Sequence, residues 1–280
     1  MSGLWRDVVD AIGVVIPVND EEALLPRCLA ALREALDELA VQHRHPPAVY
    51  VVLVLDACTD DSAAIAAASG FEVLTTSTRN VGMARAAGVA AVFARVAEAG
   101  ARNRALTDAA HVWIANTDAD SAVPRTWLTT QLALAEDGAD LMVGTVRPDF
   151  ADLTAEQTAV WMSSHVLGHA GGHVHGANLG VRGADYLAAG GFASLAEHED
   201  VLLVESLRAN PDTREVDTDE CWVLTSGRLV GRSPGGYAHH LMSTLPPVAD
   251  PVVDPVADHG TRSGADPAAE STIEESITRV

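Results

Sequence analysis

Residues 111–121 read His-Val-Trp-Ile-Ala-Asn-Thr-Asp-Ala-Asp-Ser, an apolar run that stops at two carboxylates, Asp118 and Asp120. If the run is a buried strand, residues two apart point the same way, so both carboxylates face one pocket at its carboxyl end. Such close charges repel each other unless a cation neutralises them, and carboxylate oxygens suit Mg²⁺ or Mn²⁺. A solvated acidic loop is the alternative interpretation.

The chain before this stretch repeats a strand, a turn and a helix. Residues 13–18 and 49–55 are apolar, largely β-branched runs, typical of parallel strands buried on both faces. Residues 71–75 predict a third strand and residues 111–115 a fourth. Helical crossovers between them indicate a doubly wound α/β sheet, which binds ligands beyond the carboxyl ends of its strands. The residues predicted at such ends are Asn19, Asp56 and Asp118.

The chain beyond residue 124 predicts less regular elements. They are a helix over 124–136, a strand over 140–146, a helix over 154–167, a strand over 177–182 and a helix over 200–209. We expect one domain over residues 1–245. From residue 246 onward seven acidic residues stand against two arginines and there is no aromatic residue, so we expect 246–280 to be an acidic disordered tail.

The composition excludes several classes of function. The chain has 18 basic and 39 acidic residues, a formal charge of -21, which argues against binding nucleic acid or an anionic membrane by bulk electrostatics. It contains no lysine, which excludes a P-loop lysine and a Schiff base. The three cysteines are far apart, the N-terminus does not resemble a signal peptide and no stretch predicts a transmembrane helix, so we expect a soluble cytoplasmic protein.

Six short motifs follow one another along residues 12–235. They are Val15-Ile-Pro-Val-Asn-Asp-Glu-Glu22, Val54-Leu-Asp-Ala-Cys-Thr-Asp60, Arg79-Asn-Val-Gly-Met-Ala-Arg85, Asn116-Thr-Asp-Ala-Asp120, Gly176-Ala-Asn-Leu-Gly-Val-Arg182 with Gly190-Gly-Phe192, and His198-Glu-Asp-Val-Leu-Leu203. In this order they resemble the motifs of family-2 glycosyltransferases of the GT-A fold. The resemblance implies a Rossmann-like, mostly parallel central sheet with helices on both faces. It divides the domain into a nucleotide-binding half, about 1–146, and an acceptor half, about 147–245.

The resemblance also implies an activity: metal-dependent transfer of a sugar from a nucleotide diphosphate donor, most simply a UDP- or GDP-sugar, to a hydroxyl of a small or lipid-linked acceptor. Asp118 and Asp120 would hold Mn²⁺ or Mg²⁺ on the diphosphate, with His240 as a candidate third ligand. Asp200 would be the general base of an inverting displacement. The residues expected to bind the nucleotide sugar are Pro17, Asn19, Glu21, Asp56, Arg85, Asp118, Arg228 and Arg232.

Several alternatives stay open at this stage. Asp200 could cap a helix while Glu199 serves as the base. The spacing from Asn80 to Arg85 is two residues shorter than the common family form, and retaining relatives that act on phosphoglycerate share the first and metal motifs. A nucleotidyltransferase or a catalytically silent sugar-nucleotide-binding protein would also fit the fold, although the first turn is acidic where a nucleotidyltransferase usually has a basic, glycine-rich one.

Four histidines form a last candidate site. They are His165, His169, His173 and His175. The first two are spaced like neighbours one helical turn apart, which could hold a transition metal. Packed or hydrogen-bonded histidines lining a polar cleft are the alternative.

Overall fold

The computed structural model describes residues 8–103, 108–231 and 236–247. These belong to one unit, Met1–Pro247. The strands are β1 (Ala11–Val18), β2 (Ala48–Asp56), β3 (Glu72–Thr76), β4 (Val112–Asn116), β5 (Leu141–Pro148), β6 (Leu179–Arg182) and β7 (Glu215–Thr225). The helices are α1 (Leu25–Gln42), α2 (Ser62–Ala68), α3 (Val81–Asn103), α4 (Trp127–Glu136), α5 (Ala155–Ser164), α6 (Gly183–Ala188), α7 (Glu199–Arg208) and α8 (Tyr237–Thr244).

All seven strands form one sheet in the order β3-β2-β1-β4-β6-β5-β7. Pairing is parallel from β3 through β4, and β5 is parallel to β7. The short β6 is antiparallel to both of its neighbours, β4 and β5. Because β1 lies between β2 and β4, the carboxyl ends of these three strands meet at one edge of the sheet. The sequence prediction of a mostly parallel α/β sheet is confirmed.

Helices cover both faces of the sheet because the central strands are apolar on both sides. In β1, Val14 and Ile16 pack into one core with helices α1, α2 and α4, whereas Val15 packs into the opposite core with α3, α6 and α7. The same alternation divides Leu53 and Val54 of β2 between the two cores. A smaller apolar cluster joins α5 to α8.

The predicted elements are confirmed in type, but several differ in extent. Helix α3 extends to Asn103, and α5 ends at Ser164, three residues before its predicted end. His165 and His169 therefore do not share a helix face, which removes the spacing that suggested a second metal site. The tail is predicted to begin at residue 246. Its residues beyond Pro247 lie outside the described part of the chain.

Three elements, α6, β7 and α8, had no counterpart in the sequence prediction. Strand β7 carries acidic residues on its exposed positions, and α8 follows a glycine-rich segment, so neither has the continuous apolar run that marked β1 and β2. Within the part of the chain that the structure describes, no helix has the length and apolar character needed to cross a membrane.

Candidate active site

A cleft of about 1320 Å³ opens at the carboxyl ends of β1, β2 and β4 and extends across to α5, α7 and α8. Each predicted site residue that the structure describes lines this cleft. They are Pro17, Asn19, Glu21, Asp56, Arg85, Asp118, Asp120, Glu199, Asp200, Arg228 and His240. Arg232 lies outside the described residues. Residues from both halves of the chain are therefore brought together in one place.

Strained backbone is concentrated in the same cleft. Among the described residues, the non-glycine positions with positive φ are Asp20 (51°), Ala57 (53°), Arg79 (49°) and His198 (60°). All of them line the cleft. Left-handed backbone is unfavourable for residues with a side chain, and such conformations persist where the surrounding structure imposes them, often at functional sites.

The two aspartates after β4 each contact an arginine. Asp118 accepts a hydrogen bond of 2.6 Å from Arg85 Nη2, and its side chain is 35% exposed. Asp120 is more buried, and its Oδ2 lies 2.9 Å from Arg228 Nη2. Burial and the charge of Asp118 raise the pKa of Asp120 to about 6, although Arg228 opposes that rise. The arginines therefore offset only part of the repulsion between the carboxylates.

Arg228, which follows β7, is paired with the turn after β1. Its Nη1 and Nη2 atoms donate to the two carboxylate oxygens of Glu21 at 3.1 and 2.8 Å. Because Nη2 also contacts Asp120, the Arg228 guanidinium pairs with two carboxylates, one from the turn after β1 and one from the turn after β4. The backbone N–H of Glu21 donates to Ser62 Oγ at 2.8 Å, which fixes the position of the turn.

The carboxylate of Asp56, at the end of β2, is satisfied by hydrogen bonds from residues 76–80. Its oxygens accept hydrogen bonds from the N–H groups of Thr78, Arg79 and Asn80 at 2.7 to 3.0 Å and from the hydroxyls of Thr76 and Thr78. Burial raises the pKa of Asp56, but the N–H groups of Asn80 and Arg79 and the two hydroxyls outweigh it, so the net pKa is below its usual range. Asp56 thereby shapes the polar turn before α3.

The turns after β1 and β2 are tied to each other. The Asn19 side chain donates to the carbonyl of Asp56 at 2.7 Å, and Asp20 accepts from the N–H of Thr59 at 2.5 Å. Pro17 lies beside them in the cleft wall. These contacts make one rigid rim from two motifs that are about forty residues apart in the chain.

Arg85 lies in the floor of the cleft rather than at its rim. Its Nε donates to Glu199 Oε1 at 3.0 Å while its Nη2 holds Asp118. Glu199 is buried, and burial raises its pKa against the lowering effect of Arg85. The neighbouring Asp200 is partly exposed to the cleft, and its Oδ2 accepts from the N–H of Gly176 at 2.6 Å. Of the two acidic residues that start α7, Asp200 is thus the accessible one.

The far wall of the cleft is aromatic. The ring of His165 stacks on Trp161 with 3.9 Å between centroids, and His175 meets Tyr237 edge to face at 5.5 Å. Burial, with smaller effects from neighbouring histidines, lowers the pKa of His175 to about 4, so this imidazole is neutral at physiological pH. Such a wall offers ring faces and neutral hydrogen-bonding groups to a ligand.

One polar pair on this wall had no motif in the sequence. Arg147, in β5, donates to Asp219, in β7, at 2.6 Å, and its guanidinium lies 4.1 Å above the ring of Trp222. Asp219 also accepts from the N–H of Gly168 at 2.8 Å, which fastens the segment after α5 to the sheet. Only the pairing of β5 with the unpredicted β7 brings these residues together.

Within the described residues, the side chains form one preassembled group of candidate metal ligands. The single group of three side chains with ligand atoms within 4.8 Å of one another is Asp20, Cys58 and Asp60. His240 does not form such a group with Asp118 and Asp120. The three cysteines are unpaired.

Comparison with known proteins gives a family match over part of the chain and a shared fold. Residues 93–174 match the family model described as Glycosyl transferase family 2. No curated protein matches the sequence. A mannosyltransferase, PcManGT from Pyrobaculum calidifontis, in complex with GDP-Man and Mn²⁺, superposes with a TM-score of 0.52 at 18% identity, over 78% of this chain and 57% of that one.

Two further solved structures are similar. S. aureus TarS has a TM-score of 0.50 at 12% identity, over 77% of this chain and 36% of TarS. Glucosyl-3-phosphoglycerate synthase of M. tuberculosis has a TM-score of 0.47 at 16% identity, over 84% and 79% of the two chains. The chain spans 57% to 61% of the length of the first structures it matches. The family match and the shared fold confirm the resemblance to family-2 glycosyltransferases of the GT-A fold.

Proposed function

We propose that this chain, a GT-A-fold protein with a family-2 glycosyltransferase segment, is a metal-dependent glycosyltransferase that moves a sugar from a nucleotide diphosphate to an acceptor hydroxyl. One observation carries the proposal: the carboxylate pair Asp118 and Asp120 lines the same cleft as Asp200, which comes from the other half of the chain. We assign Asp118 and Asp120 to the leaving diphosphate and Asp200 to the attacking hydroxyl. The proposed nucleotide and acceptor halves meet along this cleft.

The donor side fits a hard divalent cation. Asp118 and Asp120 supply carboxylate oxygens, and their mutual repulsion is the situation that a bound cation relieves. A divalent cation bound there would stabilise the charge that develops on the leaving diphosphate. Arg228, which contacts Asp120, is the proposed partner of a phosphate oxygen. His240 forms no close three-ligand group with the pair among the described residues, so we rank it below the two aspartates as a ligand.

On the acceptor side, Asp200 is the proposed general base. Its carboxylate is exposed to the cleft, whereas Glu199 is buried and bonded to Arg85. Asp200 would take the proton of the acceptor hydroxyl as that oxygen forms a bond to the anomeric carbon and the bond to the diphosphate oxygen breaks. A single displacement of this kind inverts the configuration at the anomeric carbon.

The donor is best taken as a UDP- or GDP-sugar. The P. calidifontis neighbour is a complex with GDP-Man and Mn²⁺, which supports this choice and Mn²⁺ or Mg²⁺ as the cation. The aromatic far wall suits a neutral, hydroxyl-bearing part of a small or lipid-linked acceptor. A cytoplasmic location stays a prediction from the sequence.

A thermal-shift screen tests the donor and the metal together. A ligand that binds only the native state raises the melting temperature by mass action. We expect one of UDP-, GDP- and TDP-sugars to raise it with Mn²⁺ and to do so less with EDTA. If no nucleotide gives a metal-dependent shift, the proposal is wrong.

Replacing the base separates binding from chemistry. In Asp200→Asn we expect transfer to fall roughly 100- to 10,000-fold, the usual contribution of a general base, while the donor-induced thermal shift persists. Asp212→Asn, an exposed aspartate outside the cleft, is the matched control and should keep wild-type turnover. Normal turnover in Asp200→Asn would remove Asp200 from the mechanism.

A further inference from the structure

Arg85 occupies an unusual position between the two chemical ends of the cleft. It projects from α3, is 2% exposed, and contacts Asp118 through Nη2 at 2.6 Å and Glu199 through Nε at 3.0 Å. Asp118 belongs to the leaving-group side, and Glu199 begins the helix that carries Asp200. The Arg85 guanidinium therefore connects the leaving-group side of the cleft to the helix that carries Asp200.

Gly176 gives Arg85 a third connection. A Cβ atom added at Gly176 would lie 2.4 Å from Arg85 Nη2 and 2.9 Å from Cζ, so the backbone rests directly on the guanidinium. The N–H of the same glycine donates to Asp200 Oδ2 at 2.6 Å. The N–H that orients Asp200 therefore belongs to Gly176, which packs directly on Arg85. Arg85 in turn holds Asp118.

The α3 side of this arrangement is also fixed. A Cβ at Gly82, one turn before Arg85, would lie 2.1 Å from the carbonyl oxygen of Ala193, and the N–H of Gly82 donates to the carbonyl of Leu195 at 3.1 Å. The start of α3 is therefore packed against the loop that leads into α7. Arg85 and Asp200 are held in register by backbone contacts as well as by the ion pair.

We propose that Arg85 is a positioning residue that sets the separation between Asp118 and Asp200, and that Glu199 serves to hold Arg85 rather than to accept the acceptor's proton. This inference rests on the proposed function. An in-line displacement needs the leaving oxygen, the anomeric carbon and the incoming hydroxyl aligned, so the groups serving the two ends must keep a fixed distance. A guanidinium can hold two carboxylates in fixed directions, whereas a lysine ammonium is a point charge on a flexible stem.

The test compares Arg85→Lys with Arg95→Lys. Arg95 lies on the same helix and also pairs with two carboxylates, Glu72 and Glu98, but at the surface. We expect Arg85→Lys to keep the metal-dependent donor shift, because the positive charge remains. Its kcat for transfer should fall roughly 100-fold, the cost of a misplacement of about 1 Å, with little change in donor KM. Arg95→Lys should match the wild type.

A second measurement distinguishes positioning from general loss of structure. We expect donor hydrolysis to water to fall less than transfer to the acceptor in Arg85→Lys, because water needs no alignment with Asp200 through an acceptor. Equal losses in hydrolysis and transfer, or full transfer activity, would contradict the inference. If Arg85→Lys is poorly folded, Glu199→Gln weakens the same contact, because its amide oxygen still accepts from Arg85 Nε but carries no charge. A partial fall in transfer that exceeds the fall in hydrolysis is expected. Equal falls or no fall would contradict the positioning role, and complete loss of transfer would restore Glu199 as a base.

The wild-type protein separates this inference from the function on which it rests. A wild-type chain that neither transfers nor hydrolyses any nucleotide sugar would overturn the proposed function and this inference together. An active wild type with an Arg85→Lys variant equal to Arg95→Lys would overturn the inference alone.

Discussion

Two carboxylate sites at the same edge of the sheet look alike in sequence and differ in physical state. Asp56 and Asp120 each come soon after an apolar parallel strand. Five hydrogen bonds from residues 76–80 satisfy Asp56, and its pKa lies below the usual range. Asp120 lies beside a second carboxylate, and its pKa is raised to about 6.

The contrast separates a carboxylate that builds the site from one that is available to a ligand. A buried charge that its own chain satisfies contributes to stability, because the hydrogen bonds offset its desolvation. A buried charge that is left against a like charge reduces stability and gains from a cation. We therefore assign Asp56 mainly to the shape of the nucleotide rim and Asp120 mainly to metal binding, and the two can be tested against each other.

Between these two aspartates, the larger expected effect is the loss of activity in Asp120→Asn. Removing one carboxylate from the pair should lower turnover roughly 100- to 1,000-fold, comparable to losing one electrostatic contact to the transition state. The metal-dependent part of the donor thermal shift should also disappear. The metal-free variant should lose less stability than Asp56→Asn, because the removed repulsion from Asp118 offsets the weakened contact with Arg228. A variant with wild-type metal dependence would exclude Asp120 as a ligand.

The second effect is a loss of stability in Asp56→Asn. Asparagine keeps one acceptor oxygen and turns an NH₂ group toward N–H donors, so we expect about 2–3 kcal/mol lower free energy of unfolding from urea titration. The metal-dependent part of the thermal shift should survive, the reverse of Asp120→Asn. Asp61→Asn is the matched control, since Asp61 is exposed in the following turn and its side chain caps nothing. Equal stability of the two variants would contradict the structural role.

Sequence patterns alone predicted the strand ends and placed Asn19, Asp56 and Asp118 there, whereas the resemblance implied most other residues of the candidate site. A parallel strand buried on both faces is an uninterrupted apolar run, and the run stops where the chain leaves the sheet, so Asp56 and Asp118 could be assigned to one edge. The sequence pattern predicted a strand well where both faces of the strand are buried, because such a segment contains almost only apolar side chains.

The pattern was weak where the partner of a residue comes from far along the chain. Asp219 and Arg147 lie 72 residues apart and meet only through the pairing of β7, a strand with a charged face. The resemblance implied that Arg85 belongs to the nucleotide site, but not that it is buried between Asp118 and Glu199. Likewise, the sequence could not distinguish the states of Asp56 and Asp120, because those depend on tertiary hydrogen bonds.

The smallest effect, and the one that isolates charge from shape, is the pH dependence of the Asp56→Asn difference. A carboxyl group with a lowered folded-state pKa contributes its stability above the unfolded pKa of about 3.9, and that contribution is lost as pH falls through the folded value. The stability gap between wild type and Asp56→Asn should therefore be constant from about pH 7 to 5 and shrink below about pH 4. Titrations of other carboxyl groups cancel in this difference. A gap that stayed constant to pH 2.5 in urea unfolding would mean that Asp56 acts through shape alone, and the contrast with Asp120 would then rest on geometry and not on ionisation.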